Sequence, residues 1–179
     1  MELSAGTYRF GVEQGFLRLR TSRTGLGRRA GHDLLIAAQR WSGSARVGSG
    51  YEVEAEIDVT SLAVLEGTGG IKPLTDHDRH EIAGTIRKLL DAGRHPAITF
   101  RSTGVRGDDS GFDLDGELSI AGTTQPVTLH GTLGDDGHAR VSGTVTQTRW
   151  RIKPYTAFLG ALKLADDVTI EVDTELAPT

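Results

Sequence analysis

The sequence predicts an all-β fold with one main helix: an antiparallel β-barrel with an apolar interior, formed by residues 1–179 as a single domain. Three observations carry this. From Tyr51 to Thr60 the chain alternates without a fault, with Tyr51, Val53, Ala55, Ile57 and Val59 on one side and Glu52, Glu54, Glu56, Asp58 and Thr60 on the other. That is the period of a strand with one dry and one wet face. Similar segments recur with short Gly- and Asp-rich turns between them, and only one stretch carries a helical period.

Taken in order, Tyr8, Phe10 and Val12 share a phase, and Leu17 and Leu19 stand between charged neighbours. Gly11 and Gly15 bracket an expected tight reversal between these strands. Segments 32–38 and 41–47 follow, the second with Trp41, Gly43, Ala45 and Val47 inward. After Ser61 the rhythm changes. A helix is expected at about residues 76–92, opened by a Thr75/Asp78 capping box, striped by Ile82, Ile86, Leu89 and Leu90, and closed by Gly93 before Pro96. Strands resume at 97–106, 112–121, 126–133 and 139–148, separated by GDDSG, AGTTQ and GDDG, and Val168, Ile170 and Val172 continue the alternation. Strands so closely spaced favour an antiparallel meander of about eight strands over βαβ units, and closing it removes exposed edges.

The inward set is rich in small residues: Gly43, Ala45, Ala55, Gly116, Gly131 and Gly143. Two readings stand side by side. The small residues leave room for a ligand, or the glycines mark bulges and corners of a tightly curved sheet.

Composition narrows the function classes. With 179 residues the chain can bury a real core, and the absence of cysteine excludes disulfides, thiolate metal sites and a cysteine nucleophile. A net charge of -4 with both signs spread along the chain argues against a nucleic-acid partner. No secretory signal is visible at the N-terminus, and no apolar run approaches the ~20 residues of a membrane-spanning helix. The chain therefore reads as cytoplasmic with no integral membrane anchor, although one with its leader removed would read the same way.

Few residues suggest chemistry. TGLGRRAG has the glycine spacing of a dinucleotide-binding turn but lacks the βαβ context, so it reads as a basic connection between strands. Asp76, His77, Asp78 and His80 form the one dense cluster of metal-ligand types, which His32 and Asp33 would join if the fold brings them together. Acidic residues in a first helical turn are also ordinary dipole partners. The stretch WRIKPYTAFLGALKL, residues 150–164, reads either as a loop sealing the barrel end or as an apolar rim on the route to a cavity.

The run DHDRHEIAGTIRKLLDAGRHPAITFRST, residues 76–103, resembles the signature of YceI-like proteins. The matching positions are Asp78, His80, Asp91, His95, Pro96, Ile98, Phe100, Ser102 and Thr103, and GELSIAGTTQPVTL, residues 116–129, is similar to that family's strand, reversal, proline, strand pattern. Glu13, Gln14 and Gly15 replace the family's opening histidine-serine pair, Arg151 stands where a glycine is expected, and the arginine-rich turn and the GHDL and GIKP segments resemble a divergent cytoplasmic branch. The resemblance implies an extended lipocalin-like antiparallel barrel whose cavity holds an isoprenoid chain, such as a polyprenyl quinone or polyprenyl carrier.

The resulting expectation is a non-enzymatic carrier or sequestering protein with no catalytic residues, no metal and no required cofactor. Its bound molecule would be an isoprenoid lipid or quinone. The wall would comprise Val53, Ala55, Ile57, Ile98, Phe100, Leu114, Leu118, Val127, Leu129, Val141 and Val145. Trp150, Tyr155 and Phe158 would stand near the entrance, and His32, Asp33 and His80 would supply polar contacts at the mouth. The alternatives are a hydrolase-like or metal-dependent enzyme using Asp76 to His80, or a filled barrel acting as a stress-response or interaction module. Self-association as a homodimer is left open.

Overall fold

The computed structural model describes residues 3–179, apart from the side chain of Phe158. The alternating segments form β1 (Gly6–Gly11), β2 (Gly15–Arg20), β4 (His32–Ala38), β5 (Trp41–Val47), β6 (Tyr51–Asp58), β7 (Leu62–Gly69), β8 (Ala97–Asp108), β9 (Gly111–Ile120), β10 (Thr123–Leu133), β11 (His138–Thr146) and β14 (Asp167–Glu175). Shorter strands are β3 (Arg23–Thr24), β12 (Thr156–Ala157), β13 (Leu162–Leu164) and β15 (Ala177–Pro178), and the helix α1 is Asp76–Leu89. Twelve strands join one sheet in the order β15-β1-β5-β6-β8-β9-β10-β11-β14-β2-β4-β7, and β12, β13 and β3 form a second, small sheet. All pairings are antiparallel. The expected barrel of strands with one helix is therefore present, as a strongly curled half-barrel sheet.

Several details differ from the simple meander. The main sheet ends in β15 at one edge and β7 at the other rather than closing through hydrogen bonds, and α1 packs against β7. Gly11 and Gly15 do bracket a reversal, with the Gln14 N–H donating to the Gly11 carbonyl at 3.1 Å, but β1 and β2 do not pair. β1 runs beside β5, whereas β2 lies between β14 and β4, so the reversal is a corner of the sheet and not a hairpin.

β7 is hidden in the sequence by a bulge. Its register against β4 shifts between Leu35 and Ile36, where Glu66 and Val64 are the partners and Leu65 is skipped. The extra residue breaks the period of two in a segment already rich in glycine. The AGTTQ turn is also shorter than expected. Ala121 and Gly122, both with positive φ, make a two-residue reversal, and Thr123 to Gln125 already pair within β10.

The capping box forms as expected: the Asp78 N–H donates to the Thr75 hydroxyl at 3.1 Å, and the Asp78 carboxylate accepts from the Thr75 N–H at 2.8 Å. At the other end Asp91, not Gly93, closes the helix. Asp91 adopts φ 52°, its N–H donates to the Lys88 carbonyl, and the Ala92 N–H reaches back to Arg87. This is the bond pattern of a left-handed helix stop, which Asp tolerates better than most residues with a side chain. The helix therefore ends a few residues before the expected boundary.

On the outer face the acidic row of β6 is matched by arginines. Arg46 pairs with Glu52 at 2.7 Å, Arg101 with Glu54 at 3.4 Å and Arg40 with Asp58 at 2.9 Å. On the inner face the buried residues form two main clusters. One centres on Ile36, Val59 and Leu62, the other on Phe100, Leu114, Leu118 and Trp150.

Candidate ligand cavity

The curled sheet encloses a cavity of about 700 Å³. Val53, Ala55 and Ile57 of β6, Ile98 and Phe100 of β8, Leu114 and Leu118 of β9, Val127 and Leu129 of β10, and Val141 and Val145 of β11 all line it. Register explains the continuity of this wall. Ala55 lies opposite Phe100, Phe100 opposite Leu118, and Leu114 opposite Leu129, so inward positions on successive strands coincide. Val141 and Val145 then meet Val172 and Val168 across the next ladder.

The wall is larger than the sequence reading made it. Leu17 and Leu19 of β2, Leu34 and Ile36 of β4, and Val168, Ile170 and Val172 of β14 also line the cavity. From α1 come Ile82, Ile86, Leu89 and Leu90, so the helix is one wall of the cavity as well as a cover for a sheet edge. The period of β14 and the stripe of α1 are both readable in the sequence, but neither says that its apolar face meets the interior left by the other strands.

Of the small inward residues, Ala45 and Ala55 line the cavity, but the glycines prove to have another use. A side chain at Gly43 would strike the Phe10 ring, at Gly116 the Phe100 ring, at Gly131 the Phe112 ring, and at Gly143 the Leu129 side chain. These glycines point inward, but neighbouring side chains lie across them. The volume they release is filled by protein, and none of the four lines the cavity.

The expected mouth residues separate. His32 lines the cavity, its Nε2 2.8 Å from the Lys72 carbonyl. Asp33, next along β4, is on the opposite face, where its carboxylate accepts from the Arg23 N–H at 2.8 Å. His80 is exposed on α1 with Nδ1 2.7 Å from the Asp76 carbonyl, and it does not line the cavity. Trp150 is not at the entrance: it is 1% exposed and its indole N–H donates to the Leu118 carbonyl at 2.8 Å, so it seals the core. Tyr155 does line the cavity and is 42% exposed. The side chain of Phe158 lies outside what the structure describes. The segment 150–164 thus divides its work: Trp150 closes the barrel, while Tyr155, Ala157, Leu162 and Leu164 form part of the cavity lining.

Polar groups in the lining are few. Asp78 and Glu81 of α1 and Asp108 and Asp109 at the β8–β9 turn are the acidic members, and no lysine or arginine is among them. The Thr75 N–H and hydroxyl hold the Asp78 carboxyl below its usual range, with His77 and His32 acting in the same direction. His32 and Asp78 both line the cavity, whereas Asp33 is turned away from it. The other members of that cluster are engaged locally: His77 Nε2 lies 3.4 Å from Glu81, and Arg79 pairs with Asp76 at 3.3 Å. Among the described residues no group of three His, Asp or Glu is arranged to hold a metal ion. No described helix is long and apolar enough to cross a membrane. Trp41 also lines the cavity, 5% exposed, and its indole N–H has no hydrogen-bond partner among the described residues.

A sheet of this shape recurs in known proteins. A crystal structure of BcnA from Burkholderia cenocepacia matches 88% of this chain and 94% of its own, with TM-score 0.61 and 16% identity. A structure described as a polyisoprenoid binding domain from Saccharophagus degradans, implicated in plant cell wall breakdown, matches 98% of this chain and 100% of its own, with TM-score 0.62 and 12% identity. At such identities the likeness is one of fold. In sequence, Protein YceI of Escherichia coli O17:K52:H18 (strain UMN026 / ExPEC) is 42% identical over 65 residues, which are 35% of this chain and 34% of that protein. A UPF0312 protein of Enterobacter sp. (strain 638) is 32% identical over 106 residues, 55% of each. The chain thus spans about a third of the length of the first of these relatives. The model of the YceI-like domain matches residues 21–176, from just before β3 to just after β14, and on that match the chain belongs to the YceI-like family.

Proposed function

We propose that the chain binds an apolar lipid of the isoprenoid type, a polyprenyl quinone or polyprenyl carrier, in the cavity of the curled sheet, and acts as its carrier or sequestering protein. One observation carries this reading: five consecutively paired strands turn their alternate apolar residues onto a single space of about 700 Å³. That volume lies in the range of small-molecule sites, which are mostly apolar with a few polar groups placed to orient the ligand. The neighbour from Saccharophagus degradans, described as polyisoprenoid binding, has the same fold and supports the choice of ligand class.

Burial alone supplies enough affinity. Each five-carbon unit removed from water is worth up to ~4 kcal/mol at ~0.8 kcal/mol per carbon. Micromolar binding needs about 8 kcal/mol net, so a few units suffice after the costs of ordering the ligand. The wall then selects for tail shape and length, while His32 and Tyr155 are the polar side chains placed to meet a head group. No step of this function calls for a catalytic residue or a metal.

The direct test is mass spectrometry of an organic extract from protein purified without detergent, combined with uptake of a defined polyprenol. Wild-type protein should carry or take up the prenol. Ala55→Phe, which adds a ring on the cavity wall, should lose uptake while keeping the circular dichroism of the native sheet. Full uptake by a folded Ala55→Phe protein would remove the cavity as the binding site.

A further inference from the structure

Three segments far apart in sequence meet at one end of the cavity. β3 pairs with β13, the Gly27 N–H donates to the Ala161 carbonyl at 2.8 Å, and Leu162 backs onto Gly31. The Arg23 guanidinium bonds the Gly31 carbonyl, and His32 holds the Lys72 carbonyl of the β7–α1 connection. Residues 21–31, 67–75 and 150–165 therefore form one continuous rim, and Ala30, Gly31, Leu74, Tyr155, Leu162 and Leu164 from it line the cavity.

This rim has two unusual properties. Its loops present large apolar side chains directly to solvent: Leu26 is 101% exposed, Leu159 109% and Ile71 79%. Its charge is also of one sign. The three segments contain seven of the chain's 20 lysines and arginines and none of its 24 acidic residues, in a protein of net charge -4. Arg46, Arg101, Arg106 and Arg140 of the sheet and Arg40 beside it face carboxylates, whereas Arg28, Arg29, Lys72, Lys153 and Lys163 of the rim are exposed and take part in none of the ion pairs found among the described residues. Acidic residues flank the rim: Glu66, Asp76 and Asp166 adjoin its segments in sequence, with Asp76 paired to Arg79 and Asp166 bonded by Thr148, while Asp33 is held by Arg23 and Asp78 and Glu81 lie in α1.

We propose that this rim docks the cavity mouth onto an anionic phospholipid bilayer. Projecting leucines with cations beside them match an interface of that kind, where apolar side chains enter the acyl boundary and Lys and Arg meet the head groups. The distribution of charge orients the molecule as well: the basic rim is attracted to the membrane while the acidic remainder is repelled. The open cavity is thus presented to the phase that holds apolar lipids. The purpose of docking rests on the proposed lipid binding, but the docking itself is measured separately, on protein stripped of ligand.

Co-sedimentation of the full chain with vesicles tests it. Phosphatidylcholine vesicles containing about a third phosphatidylglycerol should bind the protein at low salt and release it as salt is raised, and pure phosphatidylcholine should bind it far less. Replacing one rim cation by a neutral residue should weaken binding about five-fold, and Arg28→Gln with Arg29→Gln correspondingly more. Leu26→Asp with Leu159→Asp should also weaken it, with circular dichroism and prenol uptake from detergent solution unchanged. Equal binding to both vesicle types, no binding at low salt, or binding indifferent to the leucine pair would overturn the proposal. Loss of prenol uptake with vesicle binding intact would instead strike only the carrier function.

Discussion

The two tryptophans show how equal burial can hide opposite roles. Both are almost wholly enclosed, but the indole N–H of Trp150 donates to the Leu118 carbonyl, whereas that of Trp41 has no partner. Leaving a buried donor unsatisfied costs about 1–3 kcal/mol, so Trp41→Phe removes a penalty along with some packing. Chemical denaturation should show Trp41→Phe changing stability by less than about 1 kcal/mol, and Trp150→Phe costing about 2 kcal/mol more than that. A residue-level reading of the sequence sees two aromatic residues and cannot make this distinction, because Leu118 and Trp150 are distant in the chain. The inward glycines were legible in the same partial way. Their side of the strand follows from the alternation, but the side chains lying over them come from neighbouring strands. Gly131→Leu and Gly143→Leu should therefore destabilise by about 1–3 kcal/mol through collision with Phe112 and Leu129. A neutral effect of either on thermal unfolding would mean that those spaces are free.

At the level of elements, local signals were the reliable ones. The capping box of α1 needs only Thr75 and Asp78, three residues apart, and it forms. The end of the helix depends on which residue accepts a left-handed φ, and Asp91 does so before the more permissive Gly93 is reached. β7 is not legible from its alternation because one bulged residue puts its two halves out of phase. The cap also has a pH signature. The Asp78 carboxyl titrates below its unfolded value, chiefly because of the Thr75 N–H and hydroxyl, so its contribution is present above the ordinary carboxylate range. It is lost as pH falls through the lowered, folded value. Thr75→Ala should cost about 1 kcal/mol at neutral pH, and less in acid. Urea titrations of both proteins at several pH values would show the gap narrowing downward, and a gap that is constant with pH would mean that the carboxylate does not take part.

Across the whole molecule the cavity is a product of register and not of any one element. Its wall passes from β6 through β8, β9, β10 and β11 to β14, each strand setting its apolar positions opposite those of the next, while α1 closes the side that hydrogen bonds leave open. The apolar side of each strand could be read from its own alternation. That the sides surround one unfilled space depends on how all of them curl together, and no segment carries that information alone. A ligand seated in such a space adds packing contacts along its wall. A ligand that binds only the folded state at about a hundred times its dissociation constant adds about 2.7 kcal/mol of stability. For a domain of this size that corresponds to a rise of roughly 5–10 °C in Tm. Saturating polyprenol should produce this shift in the wild-type protein and none in Ala55→Phe, whose added ring occupies the same wall. An equal shift in both would place the lipid elsewhere on the molecule, and no shift in either would mean that the folded chain has no preference for it.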